Sequence, residues 1–184
     1  MILRDYLRKI ILPLEEIDEQ LPQKGKIIDL GCGEGVIAKF IAKKKARTVI
    51  GVDSDKKRLP ETNSKNLIFK EGDICGTPLN GINSVVISDV LHHINLPDQK
   101  KLLKKISRQI KKGGVLVIKE IDSSEYVRSK LSRLWDLLLY PQDKINYWQF
   151  KNLKIFLQSR GFTVKILRPC RLFPGSTTLF ICKK

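Results

Sequence analysis

The residues most able to do chemistry lie in a glycine-rich junction between a predicted buried strand and a helix. An apolar stretch that contains Asp29 is followed by Gly31, Gly33 and Gly35 at alternate positions. Glycines there let the backbone approach a ligand closely, and a helix N-terminus offers unpaired N–H groups to a carboxylate or phosphate. Asp53 ends the next predicted strand, where carboxylates of doubly wound folds bind ribose hydroxyls. The pattern therefore predicts a site for an adenosine-type ligand.

The spacing of these glycines separates two classes of cofactor. Dinucleotide-binding folds require G-x-G-x-x-G, in which the last glycine lets the helix pack closely on the strand. Here Val36 stands at that position, and the third glycine comes one residue earlier. The spacing argues against a nicotinamide-dependent dehydrogenase.

A second group of reactive side chains follows the fourth predicted strand. Asp89, His92 and His93 are spaced i, i+3 and i+4, so on a helical turn they would share one face. Imidazole titrates near neutral pH, and His93 or His92 is therefore the predicted catalytic base for a hydroxyl or amine. Two alternatives are a structural role for both rings and a divalent metal site completed by Asp122. We predict no metal.

Four segments resemble, in order, the motifs of the class I S-adenosylmethionine-dependent methyltransferases. They are Asp29-Leu-Gly-Cys-Gly-Glu-Gly35, Gly51-Val-Asp53, Glu71-Gly-Asp73-Ile74, and Ser88-Asp-Val-Leu-His-His-Ile94 with Lys111-Lys-Gly-Gly114 after it. Each segment alone is weakly specific, whereas the ordered set is specific and covers the chain from about residue 24 onward. The resemblance implies a methyltransferase that uses S-adenosylmethionine as its cofactor.

The resemblance also implies roles for residues around that cofactor. Gly31, Cys32 and Gly33 would wrap its methionine end, and Asp29 would orient its ammonium group. Asp53 would accept both ribose hydroxyls.

On the adenine side, the resemblance implies that Ser54 flanks the ring and that Asp73, with the Ile74 backbone, reads its edge. The predicted cofactor-binding set is completed by two residues at the end of the fourth strand, Ser88 and Asp89. Asp53 and Asp73 are only 20 residues apart, which is shorter than is usual in the family. We therefore expect the adenine side to be more open than usual.

The elements that must position these residues alternate between β-rich and helical apolar patterns, which indicates βαβ units and a parallel sheet. The predicted strands are 26–30, 48–53, 66–70, 84–88, 115–121, 162–167 and 177–182, and the predicted helices are 35–44, 97–111 and 148–160. The last two strands form an antiparallel hairpin around Pro174 and Gly175. We predict an α/β, Rossmann-like methyltransferase fold with a seven-stranded, mostly parallel sheet, an antiparallel C-terminal hairpin and helices on both faces.

An N-terminal helical cap, residues 1–23, precedes the predicted methyltransferase domain, residues 24–184. Its apolar stripe has helical spacing and consists of Leu3, Leu7, Ile10, Leu14, Ile17 and Leu21. Pro13 divides the stripe into two short helices. Docking on the domain's own core is favoured over a membrane-surface helix, which Arg4, Arg8 and Lys9 would suit.

Residues 123–150 are the predicted source of acceptor specificity. They contain both tryptophans and three of the four tyrosines, namely Trp135, Trp148, Tyr126, Tyr140 and Tyr147. Such a segment favours a lid over a small apolar or aromatic acceptor, with a satellite core as the alternative. We therefore predict methyl transfer to the oxygen, nitrogen or carbon of a small molecule.

Composition limits the partners. The 184 residues carry 35 Lys and Arg against 19 Asp and Glu, a net charge of +16 that favours anionic partners. An RNA methyltransferase is thus an alternative, supported by the lysines between residues 100 and 112, although Ser88-Asp-Val-Leu replaces the tetrapeptide of nucleic-acid amine methylators. A second alternative is an inactive binding subunit with this fold.

No apolar run approaches the roughly 20 residues of a membrane span, and the first residues lack the uninterrupted apolar core of a signal peptide. We expect a cytoplasmic protein without integral membrane contact, with peripheral contact left open.

Overall fold

A seven-stranded sheet is the centre of the computed structural model, which describes residues 12–62, 64–121, 146–169 and 177–184. The strands are β1 Gly25–Leu30, β2 Arg47–Asp53, β3 Leu67–Glu71, β4 Ser84–Ser88, β5 Val115–Ile121, β6 Thr163–Leu167 and β7 Thr177–Lys183. Their order across the sheet is β3-β2-β1-β4-β5-β7-β6. β7 runs antiparallel to β5 and β6, and every other pairing is parallel. The predicted sheet and its antiparallel C-terminal pair are confirmed, while the turn predicted at Pro174 and Gly175 lies outside the described residues.

Helices cover both faces of the sheet, as predicted. They are α1 Leu14–Gln20, α2 Val36–Ile41, α3 Leu96–Gln109 and α4 Phe150–Ser159, and two 3₁₀ turns span Lys56–Arg58 and Leu91–His93. α1 and α2 share one apolar core with the sheet, and α3 and α4 share the other. Because both faces of β1, β4 and β5 are covered, these central strands are nearly continuous runs of Ile, Leu and Val.

α3 shows how local sequence sets a helix. Asn95 caps its N-terminus by accepting a hydrogen bond from the Asp98 backbone N at 3.0 Å, and Pro97 occupies the first turn. Leu103 and Ile106 are fully buried against the sheet, whereas the lysines of this helix are mostly exposed. The helix therefore buries one apolar stripe and presents a basic face.

α1 docks on the chain's own core, as predicted for the second half of the N-terminal cap. Its Leu14 and Ile17 are buried in the same core cluster as α2. The fully buried Arg47 fixes the end of α1: its guanidinium donates to the Pro22 carbonyl at 2.8 Å and to the carboxylate of Asp18. Burial alone would raise the pKa of Asp18, yet bonds to a lysine and to Arg47 hold that pKa below its ordinary value.

One part of the N-terminal prediction falls outside this description. The first predicted helix of the cap, with Arg4, Arg8 and Lys9, lies in residues 1–11, which the structure does not describe. Within the described ranges, no helix combines the length and apolar character needed to cross a membrane.

Most predicted boundaries agree with the observed ones to within two residues. β4 and β5 have the predicted bounds, because their apolar runs end at polar residues or glycines. α2 is shorter than the predicted 35–44, ending at Ile41. The Lys43 N–H bonds back to the Phe40 carbonyl at 3.2 Å, three residues earlier, so the chain turns instead of continuing the helix.

Candidate active site

The predicted site residues lie at one edge of the sheet, because the carboxyl ends of parallel strands meet there. β1 has β2 on one side and β4 on the other, so the strand order reverses between β1 and β4. Open α/β sheets bind ligands in the crevice outside the carboxyl ends at such a switch point. The glycine loop follows β1, and the segment with both histidines follows β4.

The loop from Gly31 to Gly35, here called the glycine loop, is a tight backbone cradle. The Gly31 N–H donates to the Val52 carbonyl at 2.7 Å, which ties the loop to the end of β2. Gly31 has φ 75° and Gly33 has φ 51°, conformations that side chains rarely adopt. A Cβ on Gly31 would lie 2.3 Å from Cγ2 of Val90, so no side chain fits at this position.

Asp53 locks the glycine loop from the end of β2. Its Oδ2 accepts a hydrogen bond from the Gly33 N–H at 2.7 Å, and its Oδ1 accepts one from the Asp55 N–H at 3.0 Å. The side chain is only 6% exposed. Each oxygen keeps further acceptor capacity, since a carboxylate oxygen has two lone-pair sites. Ser54, the next residue, is exposed.

Asp29 lies in β1 with almost no contact with solvent. It is 2% exposed, and its Oδ2 has no hydrogen-bond partner among the described residues. The pKa of Asp29 is raised to about 7: burial is the largest cause, the Asp53 carboxylate adds to the rise, and a hydrogen bond from the Ala38 backbone opposes both. Such a carboxyl group is suited to receive a cation, because an ammonium would satisfy the orphaned oxygen and offset its burial.

These observations provide a fit test for the implied cofactor. The glycine loop tolerates no added side chain at Gly31, Gly33 or Gly35, and Asp29 in the strand before it offers a buried acceptor. Burial raises the pKa of the Cys32 thiol in the same loop, and the charges of Asp29 and Asp53 add to the rise. A cationic, amino-acid-like group fits these residues, whereas a phosphate would be repelled by the two carboxylates.

Asp73 follows the neighbouring edge strand β3, and its carboxylate already has partners. Its oxygens accept hydrogen bonds from the Cys75 and Gly76 N–H groups, each at 3.0 Å, which forms a capped turn. Asp73 is exposed, and Ile74 after it is buried in the core. The Gly72 N–H donates to the Asp53 carbonyl at 3.0 Å, so the structure brings the ends of β2 and β3 together.

The short crossover between β2 and β3 covers the glycine loop, while Ser54 and Asp73, the residues predicted on the adenine side, are exposed. The Lys56–Arg58 turn folds back, and a Cβ on Gly33 would lie 2.6 Å from Nη2 of Arg58. The Phe69 ring occupies the equivalent space above Gly35, where an added Cβ would lie 2.5 Å from its Cε1. Without a crossover helix, side chains of the crossover and of β3 cover the loop instead.

At the end of β4, Ser88 and Asp89 meet a lysine that the sequence analysis missed. Lys119 Nζ lies 2.6 Å from each carboxylate oxygen of Asp89, and the lysine side chain is 5% exposed. Asp89 has φ 55°, a conformation that Asp tolerates better than most residues. Ser88 Oγ is 3.4 Å from Oδ2 of Asp89. The signal that could have revealed Lys119 was a charged residue inside the apolar run of β5.

His92 bonds to a second residue that the sequence analysis missed, Glu120. His92 is 2% exposed, and its Nδ1 lies 2.7 Å from Oε2 of Glu120. The other oxygen of Glu120 accepts a hydrogen bond from the Leu91 N–H at 3.0 Å. The expected common face is therefore wrong for Asp89 and His92. Their partners are consecutive residues of β5, whose side chains leave a strand on opposite sides.

The two histidines remain neighbours beside a small aromatic pocket. Their ring centroids are 4.2 Å apart, and the Tyr147 ring is 5.3 Å from that of His92. The pocket has room for about one water-sized molecule. Gln99 Oε1 and Trp148 Nε1 are buried beside it without a hydrogen-bond partner among the described residues. Most of the predicted lid, including Trp135, lies outside those residues.

Asp122 of the alternative metal set also lies outside the described part of the chain. Within the ranges that the structure does describe, no three His, Cys, Asp or Glu side chains form a group that could hold a metal ion.

Comparison with curated proteins gives a consistent result. A family model for a methyltransferase domain matches residues 2–165. The ribosomal protein L11 methyltransferase of Thermotoga neapolitana is 28% identical over 137 residues, which are 70% of this chain and 50% of that protein. The ubiquinone biosynthesis O-methyltransferase of Coxiella burnetii is 27% identical over 148 residues, 74% of this chain and 62% of that protein. This chain thus spans between about half and 62% of these relatives.

Solved structures share the fold at lower identity. A putative methyltransferase from Haloferax volcanii, solved in complex with the Trm112 methyltransferase activator, has a TM-score of 0.80 and 17% identity, covering 98% of this chain and 93% of that one. The magnesium protoporphyrin IX methyltransferase of Synechocystis PCC 6803, solved with bound SAH, has a TM-score of 0.72 and 16% identity, covering 93% and 82%.

Proposed function

The chain belongs to the S-adenosylmethionine-dependent methyltransferases, and on that basis we propose that it transfers a methyl group to a small apolar or aromatic acceptor. The family predicted from the four motifs is confirmed, and so is its cofactor. The observation that carries the cofactor part of the proposal is the orphaned, buried carboxyl oxygen of Asp29, in the strand before a glycine loop with no room for added side chains.

The methionine end of the cofactor is held by β1 and the glycine loop in this proposal. Asp29 accepts the ammonium group, and Gly31, Cys32 and Gly33 lie along the aliphatic chain. When bound, the cofactor supplies an electrophilic methyl group on a sulfonium. The task of the protein is then to align the acceptor with that methyl group and to exclude water.

Residues at the ends of β2, β3 and β4 would hold the adenosine end. Asp53 accepts the ribose hydroxyls with the lone pairs that the glycine loop leaves unused, and Ser54 flanks the adenine. Asp73, in the turn that it caps, and the Ile74 backbone would read the adenine edge. The cofactor-binding set is completed by Ser88 and Asp89.

The histidines carry the proposed acid–base chemistry. His93 is the less buried of the two and takes the proton from an acceptor hydroxyl or amine. His92 is the alternative base, and its contact with Glu120 fixes the ring beside His93. Glu120 is a positioning residue in this scheme, because it acts through His92.

A small acceptor is supported by the surroundings of the histidines. Tyr147, Trp148 and Phe150 surround the small pocket next to His92, so an apolar acceptor bound beside the histidines, outside that pocket, would lie close to aromatic side chains. Two relatives have names that specify small acceptors, the ubiquinone biosynthesis enzyme and a trans-aconitate 2-methyltransferase of Deinococcus radiodurans. A third relative is named for a ribosomal protein, which makes protein the competing acceptor.

Methylation of RNA is the second candidate, and one observation favours it. α3 and the residues after it present an exposed basic surface formed by Lys100, Lys101, Lys104, Arg108, Lys111 and Lys112. Neutralising backbone phosphates on such a surface makes affinity fall steeply with salt. Salt-sensitive retention of RNA, together with methyl transfer to it, would select this candidate over the small acceptor.

The cofactor site is tested by calorimetric binding of S-adenosylmethionine and S-adenosylhomocysteine. We expect the wild type to bind both and Asp53→Asn to weaken both by about tenfold or more, because a charged hydrogen-bond acceptor is lost. Asp98→Asn removes a carboxylate from α3 and serves as the matched control, with unchanged binding expected. A wild type that binds neither compound would support the inactive binding subunit instead.

The acceptor is tested by transfer of a labelled methyl group to three substrate pools: small phenols and carboxylic acids, total RNA, and ribosomal protein. We expect label in the small-molecule pool. Label confined to RNA or protein would overturn the proposed acceptor class while leaving the cofactor site intact.

A further inference from the structure

The Lys56–Arg58 turn places a guanidinium on the glycine loop, where the family motifs assign no residue. A Cβ on Gly33 would lie 2.6 Å from Nη2 and 3.2 Å from Cζ of Arg58. Three hydrogen bonds donated by backbone N–H groups fix the turn that carries Arg58. Asp53 Oδ1 accepts from Asp55 at 3.0 Å, the Asp55 side chain accepts from Lys57 at 3.0 Å, and the Asp55 carbonyl accepts from Arg58 at 3.0 Å. Asp53 therefore holds both the glycine loop and the segment that covers it.

The charge of Arg58 is directed at the loop and not at a partner in the chain. Among the residues that the structure describes, its guanidinium takes part in no ion pair or hydrogen bond, and the side chain is half-buried. Its field nevertheless reaches the loop. Burial, Asp29 and Asp53 raise the pKa of the Cys32 thiol, and Arg58 opposes them.

The two forms of the cofactor differ in charge at this place. S-adenosylmethionine carries an ammonium, a carboxylate and a sulfonium, a net charge of about +1, whereas S-adenosylhomocysteine has lost the sulfonium charge. A guanidinium beside the loop repels the first compound and leaves the second nearly unaffected. Asp29 and Asp53 attract the sulfonium, so Arg58 offsets part of their attraction.

We propose that Arg58 is a selectivity residue that lowers the affinity of the site for S-adenosylmethionine relative to S-adenosylhomocysteine. The inference rests on the proposed function, because it concerns the same cofactor site. Its consequence is that methyl transfer responds to the ratio of the two compounds, since the product competes strongly for the site.

Charge and volume make separable contributions. The guanidinium also fills space above Gly33, and moving it aside affects both compounds in the same way. The two compounds differ by one methyl group and one positive charge, so Arg58→Lys, which keeps the charge and changes the volume, separates the effect of charge from that of space. The informative quantity is therefore the ratio of the two dissociation constants, in which the shared displacement cost cancels.

The test is calorimetric binding of both compounds to the wild type, Arg58→Gln, Arg58→Lys and the matched control Lys57→Gln. Lys57 is exposed on the same turn, so its substitution removes an equal charge from the segment without touching the loop. We expect Arg58→Gln to strengthen the binding of S-adenosylmethionine relative to that of S-adenosylhomocysteine by roughly threefold to tenfold. This is the size of one charge–charge interaction across several ångströms at a partly exposed site. Arg58→Lys and Lys57→Gln should keep the wild-type ratio.

Salt gives a second, mutation-free measurement. In the wild type, the dissociation constant of S-adenosylmethionine divided by that of S-adenosylhomocysteine should decrease as ionic strength rises, because salt screens the partly exposed charge of Arg58. The same ratio should change less in Arg58→Gln. An unchanged ratio in a folded Arg58→Gln, or an equal shift in Lys57→Gln, would overturn the inference. If Arg58→Gln does not fold, a wild-type ratio that is insensitive to salt overturns it. Failure of the wild type to bind either compound would instead reject the proposed function.

Discussion

The two halves of the sheet's carboxyl edge are built by different kinds of contact. On the β1–β2 half, a carboxylate holds backbone: Asp53 accepts the Gly33 N–H at 2.7 Å. On the β4–β5 half, side chains hold side chains, as in the 2.7 Å contact between His92 and Glu120. The first kind depends on the local conformation of a glycine loop, and the second on which strands are neighbours. Substitutions in the two halves should therefore have different effects on stability and cofactor binding.

The largest effect is expected from Gly31→Ala on the β1–β2 half. The new Cβ would lie 2.3 Å from Val90 and would also force a side chain into φ 75°. We expect a loss of about 4 kcal/mol in the free energy of unfolding, from backbone strain plus overpacking, together with loss of cofactor binding. Chemical denaturation and calorimetry measure the two effects.

Gly113→Ala is the matched control for that substitution. Gly113 has φ 77°, and a Cβ there would have nothing within 4 Å. It should cost only the strain, about 1 kcal/mol, and leave binding unchanged. Equal losses in both variants would show that conformation alone, and not close approach, makes glycine necessary at Gly31.

The next effect concerns the Asp89–Lys119 pair on the β4–β5 half, which should respond asymmetrically. Asp89→Asn leaves an ammonium that is 5% exposed without an anionic partner, and we expect a loss of about 3 kcal/mol in unfolding free energy. Lys119→Met leaves a carboxylate that is 35% exposed and can be hydrated, with a loss of about 1 kcal/mol. Denaturant titration of both variants decides the point; equal losses would contradict it.

A smaller effect is expected from Glu120→Gln. The amide carbonyl can still accept the Leu91 N–H, but the contact with His92 loses its charge, at a cost of about 2 kcal/mol in stability. Because the ring is no longer fixed beside His93, kcat should fall with little change in KM, and the pH–rate profile should shift. Glu71→Gln, at an exposed position in β3, is the control. A loss of stability with an unchanged pH profile would assign Glu120 a purely structural role.

The smallest effect is a pH dependence set by Asp29. Because the pKa of Asp29 is raised from 3.8 to about 7, its contribution to stability is complete at low pH and is lost as pH rises through about 7. Binding of an ammonium favours the ionised carboxylate. Cofactor affinity should therefore rise with pH up to about 7, by at most about tenfold per unit, and then level off.

Asp29→Asn removes this titration and keeps the size of the side chain. Its cofactor affinity should be weaker than that of the wild type and nearly constant between roughly pH 5 and pH 8. A slope in the variant equal to that of the wild type would assign the pH dependence to another group.

The elements of this fold were largely predictable from the sequence. Alternating and helical apolar periods are local signals, and they located every strand to within two residues. The glycine loop was equally predictable, because a positive φ and the close approach of neighbouring atoms restrict the residue type directly. The length of the β2–β3 crossover, in contrast, did not reveal that Arg58 and Phe69 cover the glycine loop.

The partners of the candidate catalytic residues were not predictable in the same way. Glu120 is 28 residues from His92, and Lys119 is 30 residues from Asp89. Helical spacing placed Asp89 and His92 on one face, and the structure separates them. No local pattern states which residue of a distant strand will lie opposite.

The sequence by itself determined the glycine loop, the carboxylates beside it and the strands that carry them, because each depends on the conformation of a few consecutive residues. Only the tertiary structure decided which side chains contact one another on the acceptor side. The parallel register of β4 and β5 pairs Ser88 with Lys119 and thereby brings the residues after β4 to the end of β5. Adjacent side chains of β5 then leave on opposite faces of the sheet, so Lys119 binds Asp89 and Glu120 binds His92.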